Sequence, residues 1–144
     1  MAAFARSRTR QARPSRMLAA ACLLSALWAH SAAARTLVWT GGGGDGRYAN
    51  AANWGGAVPQ DGDSLSFTVD GSQPCTFVND LTNFKPGGLT LAGSARQIHR
   101  GNPVDVAGEV GVRAEGEAEL AYPLTGNGTL RVCARDSFAL SGAN

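Results

Sequence analysis

Helical periodicity is the first thing this sequence lacks. No stretch keeps apolar residues at the i, i+3, i+4 spacing over several turns, which argues against a helical bundle or an alternating α/β domain. No apolar run reaches the roughly 20 residues a membrane-spanning helix needs. Cysteine is scarce, with three residues and no Cys-x-x-Cys pair, so no zinc ribbon or dithiol redox motif is present. Histidine is scarcer still: of two, only His99 lies beyond residue 34. No Gly-x-Ser-x-Gly nucleophile elbow accompanies it. A lone histidine beside Arg100, at an expected strand end, reads as a surface residue and not as the base of a triad.

A basic surface is also missing once the leader is set aside. Arg6, Arg8, Arg10, Arg13 and Arg16 precede Met17 to Ala29, which is apolar apart from Ser25. Ser31 to Ala34 then supplies small residues for a cleavage site after Ala34. That order is a secretory signal peptide spanning 1–34, and it places the remainder outside the cytoplasm by the general secretory route. Five of the 13 basic residues and none of the 11 acidic ones precede Arg35, which leaves eight against eleven, a net charge of −3. The main electrostatic support for a nucleic-acid partner is therefore absent.

What the remainder has is glycine and alternation. All 19 glycines fall after residue 34, without a Gly-X-Y period, so a collagen helix is excluded. An aliphatic residue, a small residue and glycine recur at Leu91-Ala-Gly93, Val106-Ala-Gly108, Leu124-Thr-Gly126 and Leu140-Ser-Gly142. Short alternating stretches precede them, and alternation buries one face of a strand. Strands that return at a near-constant interval, each too small to hold a core alone, predict an all-β fold: a parallel β-helix or solenoid of stacked coils. Expected strands are 37–40, 65–69, 75–78, 88–92, 96–99, 103–107, 109–113, 117–121, 128–133 and 137–141. Inward residues should be Leu89, Leu91, Val104, Val106, Leu130, Val132, Phe138 and Leu140. Residues 35–62, rich in glycine and aromatics, read as an N-terminal cap, and 63–144 as the coils.

Trp39-Thr-Gly-Gly-Gly-Gly-Asp-Gly-Arg-Tyr-Ala-Asn-Ala-Ala-Asn-Trp54, with Pro59 and Gly62 to Phe67, resembles the start of bacterial autotransporter-type passengers. Leu124 to Leu130 and Phe138 to Asn144 resemble the autotransporter-associated β-strand repeat. The resemblance implies an exported β-helical passenger at the cell surface, the outer membrane or beyond, adhesin-like and non-enzymatic. It also implies further coils and a translocator barrel beyond residue 144. Tyr48 stands where the family usually has Trp. Arg131 to Asp136 replaces a small glycine-containing turn, which predicts an irregular coil there.

The candidate binding residues are Trp39, Tyr48 and Trp54, whose flat rings could stack on surface glycans or on host or cell-surface proteins. The same rings could instead close the open end of the first coil. Asp45, Asp61 and Asp63 could converge on calcium, but ordinary turn chemistry explains them more simply, so no metal or cofactor is expected. Glu115, Glu117 and Glu119 alternate and should line a solvated face. No catalytic residue is assigned. The rival readings are a glycan-binding module and a fragment of a β-helical carbohydrate-active enzyme, for which Arg96, Arg100 and Asp105 are the nearest to a basic and acidic set. Cys75 and Cys133 are compatible with one disulfide in an exported chain, and equally with two separately buried thiols.

Overall fold

The computed structural model describes residues 34–143. The leader reading therefore lies outside the described residues, apart from Ala34. The described chain is a parallel β-solenoid of about four turns. Strand β1 spans Thr36–Val38, and a short 3-10 turn covers Ala51–Trp54. Strands β2 to β6 are Ser64–Thr68, Cys75–Asn79, Gly88–Ala92, Gln97–Gly101 and Val104–Asp105. Strands β7 to β11 are Glu109–Ala114, Ala118–Leu120, Leu124–Thr125, Thr129–Ala134 and Phe138–Leu140.

These strands form three parallel sheets, ordered β1-β2-β4-β7-β10, β3-β5-β8-β11 and β6-β9. A full coil visits each sheet once. Ser64 lies beside Gly88, Gly88 beside Gly111 and Gly111 beside Arg131, steps of 24, 23 and 20 residues. The glycine motifs therefore recur at corners and not at coil boundaries. Gly93 follows a strand of the first sheet, Gly108 and Gly126 follow the third, and Gly142 follows the second.

Constant register stacks like positions into columns. Leu37, Leu65, Leu89, Val112 and Val132 form one, and Phe67, Leu91, Ala114 and Ala134 another. Phe77, His99, Leu120 and Leu140 form a third. Alternation sends these side chains inward and their neighbours outward. At the corner after β4, Gly93 has φ +106°, and a Cβ there would stand 2.1 Å from the Val69 carbonyl oxygen. Only glycine lets one coil turn this close to the backbone of the coil before it.

Of the expected inward residues, Leu89, Leu91, Val104 and Val106 are buried. Leu130 and Phe138 are partly buried against the core. Val132 and Leu140 keep the inward register but are 41% and 47% exposed, because no coil in the structure lies beyond them. The segment expected to be irregular is not: Thr129–Ala134 pairs with Glu109–Ala114 residue for residue. Of the two readings left open for the cysteines, neither describes both residues. Cys75 and Cys133 are free thiols on different sheets, Cys75 half-buried and Cys133 exposed beside Arg113.

Burial depth predicts a graded response to truncation. Leu91→Ala should cost about 2–5 kcal/mol, since the cavity is closed on all sides. Leu140→Ala, at the half-exposed end of the column that runs through Phe77, His99 and Leu120, should cost about 1 kcal/mol or less. Chemical denaturation of the two variants checks this, and equal losses would contradict the column assignment.

Candidate functional site

The aromatic trio sits against the first full coil. Trp39 continues the line of β1, its N–H donating to the Ser66 carbonyl at 2.8 Å, which sets its ring over Phe67 at 5.4 Å. Trp54 meets Trp39 edge-on at 5.0 Å and Tyr48 at 5.8 Å. Its indole N–H donates to the Tyr48 carbonyl at 2.8 Å. Tyr48 and Trp54 are buried and Trp39 is half-buried. The three are brought together, but their faces are spent on one another and on Phe67 and Phe77. They form no flat, open stacking platform, so a glycan would have to displace the core to reach Tyr48 or Trp54.

The loop that delivers these rings is tied by short polar side chains. Asp45 accepts from the Asn50 and Asn53 amides at 2.9 and 2.8 Å and from the Arg47 N–H at 3.1 Å. Asn53, fully buried, also donates to the Arg47 carbonyl and accepts from the Gly43 N–H. Asp80 accepts the Ala49 N–H at 2.8 Å. The Asn50 side chain first, then the Arg47 N–H and Asn53, hold the Asp45 carboxyl below the usual carboxylate range. Asp45, Asp61 and Asp63 do not converge: Asp61 accepts the Lys85 N–H, and Asp63 is paired with Arg35. Among the described residues no cluster of three His, Cys, Asp or Glu could hold a metal ion.

His99 is the residue that sequence reasoning misplaced. It is fully buried, stacked on Phe77 at 4.8 Å and set edge-on to Phe67 at 4.7 Å. In β5 the polar Gln97 and His99 face inward and Ile98 faces outward, the reverse of what hydropathy alone suggests. Register decides it, because His99 pairs with Phe77, and shifting by one residue would turn every side chain of the strand over. The buried polar groups are satisfied in a directed chain. Gln97 donates its amide to the Ala92 carbonyl at 2.7 Å, so its oxygen faces His99 Nε2 at 3.3 Å. Nε2 therefore carries the proton, and Nδ1 accepts the Tyr48 hydroxyl at 2.7 Å. Burial keeps the Tyr48 phenol neutral and lowers the His99 pKa to about 3.

Glu115, Glu117 and Glu119 do face outward, but they are paired. Arg96 contacts Glu117 at 3.1 Å and Glu119 at 2.8 Å, and Arg113 contacts Glu115 at 2.6 Å. The Arg96 pairs run from one coil to the next and the Arg113 pair lies within a single coil; both arginines are exposed, so these pairs contribute little to stability. Arg96 is spent in this pairing, and Asp105 pairs with Lys85 at 3.3 Å.

Among the described residues no helix is long and apolar enough to cross a membrane, which bears only on helical spans. No family model matches this sequence, and no curated protein or solved structure was found to be similar to it.

The buried histidine makes stability pH-dependent. Its folded pKa is depressed, so the full contribution is present above the unfolded value near 6.5 and is lost as pH falls through that window towards about 3. The loss sums to roughly 4–5 kcal/mol. Denaturant melts between pH 7 and 4 should show falling stability that His99→Leu largely removes. Wild-type stability that stays flat down to pH 4 would contradict a buried neutral imidazole.

Proposed function

We propose that this chain is an exported, non-enzymatic structural module, the N-terminal part of a longer autotransporter-type passenger displayed at the cell surface or secreted. The last coil carries this reading. Strands β9, β10 and β11 each stand at the edge of their sheet. Val132 and Leu140 continue buried columns under Val112 and Leu120, yet lie half-exposed. Open parallel edges and an apolar stripe in the same register are what a further coil would cover. At the other end, the aromatic and glycine-rich segment 35–62 serves as the N-terminal cap. Surface glycans or cell-surface proteins would then meet the outward faces of the coils, where function on such scaffolds is carried.

Two measurements test this. Mass spectrometry of exported material should find an N-terminus at Arg35 or within a residue or two of it. A chain that stays in the cytoplasm with its leader attached would overturn the export reading. Light scattering should show the processed chain associating, and Val132→Lys with Leu140→Lys should suppress that association. A monodisperse chain whose melting is unaffected by appending native coils would overturn the array reading.

A further inference from the structure

Asp63 is a buried carboxylate, 2% exposed, at the corner where β1 meets β2. Four donors converge on it. The Arg35 guanidinium supplies Nη2 to Oδ2 at 2.6 Å and Nε to Oδ1 at 3.2 Å. The Gln60 N–H reaches Oδ2 at 2.9 Å. The fourth is the backbone nitrogen of Arg35 itself, 3.1 Å from Oδ1. The position of that nitrogen is fixed from its other side too. The Arg35 carbonyl accepts the Ser64 N–H at 2.7 Å, and Thr36, Leu37 and Val38 pair with Ser64, Leu65 and Ser66.

Ala34 and Arg35 are also where the sequence places the cleavage. We propose that Asp63 is a receptor for the newly made chain terminus. Hydrolysis of the Ala34–Arg35 bond turns the nitrogen already touching Oδ1 into an α-ammonium, and the resulting ion pair fastens β1 to the second coil. The inference rests on the export reading above. The co-reactant is water, delivered by a leader peptidase. The water oxygen bonds to the Ala34 carbonyl carbon as the C–N bond breaks, leaving a carboxylate on Ala34 and an ammonium on Arg35. No backbone movement is needed to form the pair, because the nitrogen is already in place.

The charges favour it. The bond from the amide N–H to the carboxylate is already charge-assisted, and turning that donor into an ammonium adds the Coulomb attraction of a full positive charge 3.1 Å from Oδ1 of a buried carboxylate. The two cations of Arg35 repel each other, but the guanidinium is 41% exposed and screened by water, whereas the carboxylate they share is buried. The segments bonded to this corner, 60–63 and 85–87, carry two other charged side chains, and both are engaged elsewhere. Asp61 accepts the Lys85 N–H, and the Lys85 ammonium pairs with Asp105. Asp63 titrates below the usual carboxylate range, chiefly through the Arg35 side chain, so at neutral pH it is ionised while the amine is still protonated.

The test compares the full chain, the chain cleaved after Ala34, and the cleaved chain acetylated at its α-nitrogen. Cleavage in vitro keeps it independent of the export route, which the N-terminus of exported material tests separately. The free cleaved form should melt about 4 °C or more above the acetylated and uncleaved forms at pH 6.5. That advantage should vanish near pH 10.5, and the Arg35 α-amine should titrate about one unit above its usual 7.7–8.0. Asp63→Asn should erase the difference between free and acetylated forms. If that variant does not fold, the acetylation comparison and the amine titration on the unaltered chain decide. Equal melting of the free and acetylated forms, or an α-amine pKa of 8.0 or below, would overturn the proposal.

Discussion

The parallel register between successive coils is the constraint on which everything else in this molecule depends. Once Leu65 lies beside Leu89 and Phe77 beside His99, each later position inherits its neighbours and its face. Hydrogen bonds along the sheets fix the register, and the columns of inward side chains are its consequence. A single coil could not bury Phe67 or Leu91, because each is covered by the coils before and after it. The same logic leaves Val132 and Leu140 half-covered at the final coil without any change in their orientation.

Polar groups are admitted to this interior only where the register puts a partner within reach. Asn53 is held by Asp45 and two backbone groups, and Asn79 by the Asn102 carbonyl and the Leu81 N–H. His99 is held between Tyr48 and Gln97. Among the described residues no fully buried side-chain nitrogen or oxygen lacks a partner. Tyr48 thus has two functions: its ring packs on Phe67 and its hydroxyl ties the aromatic segment to the third coil. A phenol at this position makes that tie, and an indole, donor-only and larger, would have to make it differently.

Much of this fold was legible in the sequence because strand alternation is a local signal. Gly88–Ala92 and Thr129–Ala134 follow directly from it, as does the inward direction of Leu89 and Leu91. The coil length was not legible, since Gly93, Gly108, Gly126 and Gly142 mark corners of different sheets, and corner glycines report turns, not turns per coil. The two-residue strand β9 carries too short an alternation to be read at all. His99 was misplaced because its burial is decided by Phe77, one coil away, and by a tyrosine 51 residues earlier. The trio of Trp39, Tyr48 and Trp54 was found by composition. That Tyr48 and Trp54 are buried is a tertiary fact, set by how the loop from Gly41 to Trp54 folds back. The contact of Arg35 with Asp63 is equally non-local, and no motif announces it.

The interior columns are not uniform along the axis. From Trp39 and Phe67 through Leu91 to Ala114 and Ala134, one column descends from the largest side chains to the smallest. Another passes from Phe77 and His99 to two leucines. The coils therefore share a path but not a cross-section, and they are not interchangeable parts. Moving the Ala114 coil to the place of the Leu91 coil would leave a void, and the reverse exchange would overfill the space. Growth of such a chain by copying one coil would thus be accepted only where neighbouring columns already match in volume.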